Sequence, residues 1–75
     1  MTLDEFVQKF AEEFDDTPVE QFAANTSYRE LDEWSSLVAL SIISMVDDEF
    51  DKQITGADLR NCGTIEALYN FIENK

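Results

Sequence analysis

An all-α fold, a small four-helix bundle with three longer helices, one short helix and a long first loop, is what this sequence predicts. Three observations carry the prediction. Apolar residues recur at helical spacing in three separate segments. A capping residue stands in front of each of them. The long connection between the first two shows no strand pattern.

The first segment reads TLDEFVQKFAEEF. Leu3, Phe6, Val7, Phe10, Ala11 and Phe14 fall on one helical face, and Thr2 with Glu5 makes a capping box. Asp4 and Glu5 suit the positive end of the helix dipole. A helix is expected from residue 3 to about 15, its aromatic stripe forming core rather than a ligand box. The connection DDTPVEQFAANTSYRELDEW follows. Pro18 can open a short helical turn with Phe22 folded inward, while Tyr28 and Leu31 pin the rest to the core. Loops this long in small domains are uncommon and often functional.

The second helix is expected from Ser36 to about Phe50, with Ser35 as its N-cap. Thr55 with Asp58 can cap a short third helix whose Leu59 faces the core. Thr64 caps the last, with Ile65, Leu68, Phe71 and Ile72 on one stripe. No repeat, linker or low-complexity segment divides the chain, so residues 1–75 read as one domain.

Composition narrows the function. A 75-residue chain has little stability to spare for a catalytic cleft, since a core of this size rarely supplies more than about 3–5 kcal/mol. The net charge is −12, from 17 acidic and 5 basic residues. Nucleic acid and anionic membranes are therefore poor partners, and basic patches on other proteins are suitable ones. The bland alternative is solubility alone. A single cysteine, Cys62, argues against a disulfide scaffold. No signal peptide is visible, and the longest apolar run, Leu37 to Val46, is too short to span a bilayer. A cytoplasmic monomer is expected.

On a helical wheel Val38, Ala39, Ile42, Ile43, Val46 and Phe50 gather on one side of the second helix. Leu37, Ser41, Ser44 and Asp48 lie opposite, with Asp47 beside them and Leu40 at the flank. Leu37 is a large apolar residue on a polar stripe, so this side is a candidate contact patch, although single exposed leucines are common. Ser36 stands in the first turn, where free N–H groups and the dipole tolerate a phosphate. Neither Ser35 nor Ser36 is an enzymatic nucleophile by itself. The chain has no histidine to act as base and no lysine nearby. A serine that reacts here must be activated by another protein.

The segment WSSLVALSIISMVDDEFDKQI resembles that of an acyl carrier protein. The family's mark is Asp-Ser-Leu at the start of the second helix, followed by an apolar helix ending in acidic residues, Phe and a downstream Ile. Ser36-Leu37 matches the Ser-Leu pair. Asp47, Asp48, Glu49 and Phe50 match the acidic end, and Ile54 the downstream position. The resemblance extends through helix order, the long loop, the short third helix and the ending TIEALYNFI. It implies a carrier rather than an enzyme. Ser36 would accept 4′-phosphopantetheine from coenzyme A, delivered by a phosphopantetheinyl transferase, and the arm's thiol would carry acyl groups as thioesters. Leu37, Ser41, Ser44, Asp47 and Asp48 would face acyl-transferring or condensing enzymes with basic docking patches, and the bundle interior can shelter the acyl chain. Two positions depart from the pattern. Ser35 replaces the Asp associated with transferase recognition and a nearby cation, and Ser41 stands where an acidic residue is frequent. Trp34 is read as a packing residue that closes the long loop.

Two other readings are weighed. A calcium loop starting at Asp47 puts Lys52 where the turn needs Gly, and one starting at Asp51 puts Gln53 and Cys62 at ligand positions, so no structural metal site is expected, only weak divalent binding to the acidic cluster. Alternatively the chain is an unmodified acidic adaptor, a bundle that only binds a basic partner and in which Ser36 is a plain first-turn residue.

Overall fold

The computed structural model describes all of residues 1–75 and contains four α-helices: α1 (Leu3–Glu12), α2 (Ser36–Phe50), α3 (Gly56–Asn61) and α4 (Ile65–Glu73). There is no strand. Single turns of 3-10 helix, Val19–Gln21 and Tyr28–Glu30, lie in the connection between α1 and α2. The first follows Pro18 and precedes buried Phe22, as the sequence suggested; the second is additional to the sequence expectation.

Each helix start follows its cap. Thr2 with Glu5 and Thr55 with Asp58 form reciprocal capping boxes, and the hydroxyls of Ser35 and Thr64 accept from the amides of Val38 and Ala67. The end of α1 departs from expectation: the helix stops at Glu12, not near residue 15. Beyond it the amides of Asp15 and Asp16 leave the helical ladder and donate to the carboxylate of Glu33, at 2.7 and 3.0 Å. Glu12, Glu13, Asp15 and Asp16 also crowd negative charge at the negative end of the helix dipole, which disfavours further turns.

The core is an aromatic chain with aliphatic walls. Tyr69, Phe6, Phe10, Tyr28 and Trp34 follow one another with ring centroids 5.1–6.0 Å apart, within the range of favourable aromatic pairs. Ile42, Val46, Leu59, Ile65, Leu68 and Ile72 close around it, each fully buried. Phe71 does not join them. About 100° per residue separates positions on a helix, so Phe71 points away from the direction shared by Ile65, Leu68 and Ile72. It is 37% exposed, and the Lys75 ammonium stands 5.8 Å from its ring centre. Half-buried Tyr69, which the sequence reading did not place, packs against Phe6 instead.

The long loop is tied down at four points. Glu33 holds its end against the turn after α1, accepting also from the Thr17 hydroxyl at 2.7 Å. The carbonyls of Ala24 and Thr26 accept from the amides of Glu66 and Ile65 at the start of α4. The hydroxyl of fully buried Tyr28 lies between the carbonyls of Leu59 and Cys62 at the end of α3. A phenol has one proton, so the two carbonyls share it. They are the groups a helix C-terminus leaves without partners.

Two predictions follow from these ties. Tyr28→Phe keeps the ring and removes the shared donor. It should cost about 1–3 kcal/mol, the penalty for buried acceptors left unpaired, with Tm falling by roughly 4–8 °C for each kcal/mol; thermal unfolding checks it, and an unchanged Tm would mean that water serves the carbonyls equally well. For Glu33, the Thr17 hydroxyl first, then the Asp15 and Asp16 amides, hold the carboxyl below its ordinary value of 4.5. A lowered folded-state value adds stability above the ordinary pKa and loses it as pH falls through the folded one. Glu33→Gln should therefore be less stable than wild type near neutral pH, and the gap should close in acid. Denaturant titrations across that range test this; a gap that persists in acid would show that geometry, not charge, is what Glu33 supplies.

Candidate functional site

The start of α2 is set by what precedes it. The half-buried indole of Trp34 stacks on Phe14 at 6.4 Å and meets Tyr28 at a tilt at 5.1 Å, so it packs the end of the loop onto the core, as expected from the sequence. Its amide donates to the carbonyl of Leu31 at 3.0 Å, which turns the chain. Ser35 is then extended, with φ −154° and ψ 173°, and caps the helix. Ser36 is the first helical residue and is exposed. The two adjacent serines thus differ. The Ser35 hydroxyl is engaged with the Val38 amide at 3.3 Å, while the Ser36 hydroxyl has no partner in the protein.

A shallow cleft of about 320 Å³ opens beside Ser36, between the start of α2 and α3. Trp34, Ser35, Ser36 and Ala39 form one side, Gly56, Leu59 and Arg60 the other. Sequence reading missed the α3 side. No local signal marks it, because it arises from the packing of a helix some twenty residues downstream. Cys62 is buried at the end of α3, and burial, then the Asp58 carboxylate, push its thiol up from its ordinary value. That is the opposite of an activated thiol.

The outer side of α2 is rotated from the sequence wheel. Met45, which the wheel left unplaced, is buried with Ile42 and Val46. Val38, Ala39, Ile43 and Phe50 are half-buried against them. The core direction therefore lies nearer Ile42 than expected, and the exposed side centres between Leu40 and Ser44. Leu37, Ser44, Asp47 and Asp48 are exposed as expected; Ser41 is half-buried at the border. Leu40, expected at the flank, is 60% exposed and stands one turn from Leu37, which is 77% exposed. Two leucines in water at i and i+3 share one helix face. They adjoin Ser36 at one end and Asp47 and Asp48 at the other.

The family model described as phosphopantetheine attachment site matches residues 4–72 of the chain. No curated protein matches significantly, and no solved structure does.

The rotated wheel makes its own prediction. Leu37→Ala with Leu40→Ala should change stability by no more than about 0.5 kcal/mol per site, as surface changes do. Met45→Ala should cost about 2–5 kcal/mol, as truncation in a packed core does. Equilibrium urea unfolding of the two variants separates the faces; a large loss from the leucine pair would put that face in the core.

Proposed function

The chain belongs to the phosphopantetheine attachment site family, whose members carry the 4′-phosphopantetheine prosthetic group, and on that premise we propose that it is an acyl carrier protein modified on Ser36. Bound there, the group supplies a terminal thiol on which acyl intermediates travel as thioesters between partner enzymes. The observation that carries the reading is the position of Ser36: exposed, first in α2, its hydroxyl unengaged, and followed by outward-facing Leu37.

The surroundings of Ser36 fit such a group. The neighbouring cleft has room for part of an extended arm, and Ala39, Leu59 and Trp34 give it an apolar wall. The unpaired N–H groups of the first turn and the helix dipole favour the negative charge of a phosphodiester at this end of α2. Ser36 has no base of its own, since the chain contains no histidine. The transferase must take the hydroxyl proton and align coenzyme A. The chain's own contribution is to hold the hydroxyl accessible at a fixed helix end.

Leu37 and Leu40, with Ser44, Asp47 and Asp48 further along, form the face that a partner must cover to reach an arm on Ser36, and half-buried Ser41 borders it. Charge complementarity points to basic patches on a phosphopantetheinyl transferase and on acyl-transferring or condensing enzymes. Asp47 and Asp48 would govern encounter, and the leucines would govern residence once docked. The protein acts in this reading as a single cytoplasmic carrier domain, residues 1–75, a monomer without a resident metal.

Incubation with coenzyme A and a broad-specificity transferase should add one phosphopantetheine, read as a mass increase of the intact protein. Ser36→Ala should abolish the increase. Ser35→Ala should retain it with some loss of helix stability, roughly 1 kcal/mol for a removed cap. Loss of loading in Ser35→Ala alone would move the attachment site. No loading of the folded wild type under any transferase would leave an acidic adaptor as the better account.

A further inference from the structure

The chain has five basic residues against 17 acidic ones, and three of the five have an evident role. Lys9 pairs with Glu49 at 3.6 Å. The Lys52 ammonium donates to the carbonyl of Ile72, near the C-terminus of α4, at 3.0 Å. Lys75 stands over Phe71. Arg60 has no carboxylate partner within ion-pair distance, although acidic residues outnumber basic ones more than threefold. It is the only charged residue lining the cleft that also contains Ser36.

Its direction is informative. A basic residue in the last turn of a helix ordinarily serves the C-terminal carbonyls. Here the Tyr28 hydroxyl already serves those of Leu59 and Cys62. The Arg60 side chain instead runs back along α3. A Cβ on Gly56 would stand 3.6 Å from Arg60 Nη1, so the guanidinium lies one turn towards the start of α3 and over the cleft. The absence of a side chain at Gly56 leaves that position open.

We propose that Arg60 is a positioning residue for the modified protein: its guanidinium pairs with the phosphodiester oxygens on Ser36 and directs the arm along the α2–α3 cleft. This rests on modification at Ser36. The physical reason is local charge. A phosphodiester added to a chain of net charge −12 is repelled by most of its surface. The start of α2 and Arg60 are the two positive features beside Ser36. A guanidinium can give two parallel N–H bonds to phosphate oxygens, which an ammonium cannot match in geometry.

The test compares apo and loaded protein, with loading on Ser36 verified first by intact mass. In wild type the phosphorus-31 resonance should differ from that of the same protein denatured, and loading should raise Tm. In Arg60→Gln the apo Tm should stay near wild type, because Arg60 is exposed and caps nothing. The gain in Tm on loading should shrink to what the start of α2 alone supplies, and the phosphorus resonance should move towards its denatured position. Arg60→Lys should fall between them, with a gain that added salt removes. A purely structural role for Arg60 would lower the apo and loaded Tm equally and leave the resonance in place, and that result overturns the proposal while the carrier reading stands. Failure to load Ser36 at all, seen in the mass before any variant is compared, overturns both.

Discussion

A single phenolic proton holds this fold in register. The Tyr28 hydroxyl, fully buried, is shared by the carbonyls that end α3. A six-residue helix has no independent stability in water, so α3 exists because both its ends are fixed: by its own capping box at Thr55 and by a tyrosine from the long first loop at the other end. The same ring packs, tilted, between those of Phe10 and Trp34. Tyr28 therefore joins the loop, the aromatic chain of the core, the short helix and the residue that leads into α2. The cleft beside Ser36 is a secondary result of this one placement, since Trp34 forms one of its walls and Leu59 the other.

Charge works differently here from the way the composition suggests. Only one ion pair forms, half-exposed Lys9–Glu49, and such a pair contributes little. The carboxylates that shape the chain act as hydrogen-bond acceptors for backbone amides: Glu5 at the start of α1, Asp58 at the start of α3, and Glu33 at the turn after α1. Most of the remaining acids are left to solvent, and on the proposed reading those at the end of α2 meet the partner. On that reading structure and recognition draw on separate subsets of one abundant residue type.

The legible parts of the fold were those with local causes. Caps at Thr2, Ser35, Thr55 and Thr64 placed every helix start, because a cap is satisfied within three residues of itself. The end of α1 was not legible, because it depends on Glu33, far along the chain. The phase of α2 is illegible for another reason. Leu37, Leu40 and Met45 add apolar residues around much of its circumference, so the apolar side has no sharp centre until neighbouring helices choose one. At the candidate site, the place of Ser36 in the first turn and the exposure of Leu37 are legible from position in the helix. Leu40 needed the corrected phase. Arg60 and Gly56 needed the packing of α3 beside α2, which no single-helix pattern contains.

The ties of the loop to α4 use main-chain atoms at both ends. Carbonyls of residues 24 and 26 meet amides of residues 66 and 65. Such contacts are indifferent to the side chains that decorate them. Thr26 is the exception, since its hydroxyl accepts from Ala23 and donates to Gln21. Over evolutionary time the exposed positions around Asn25 are therefore free to drift. Descendants of this chain can diverge there beyond recognition while the path of the loop, and with it the position of Tyr28, is inherited unchanged.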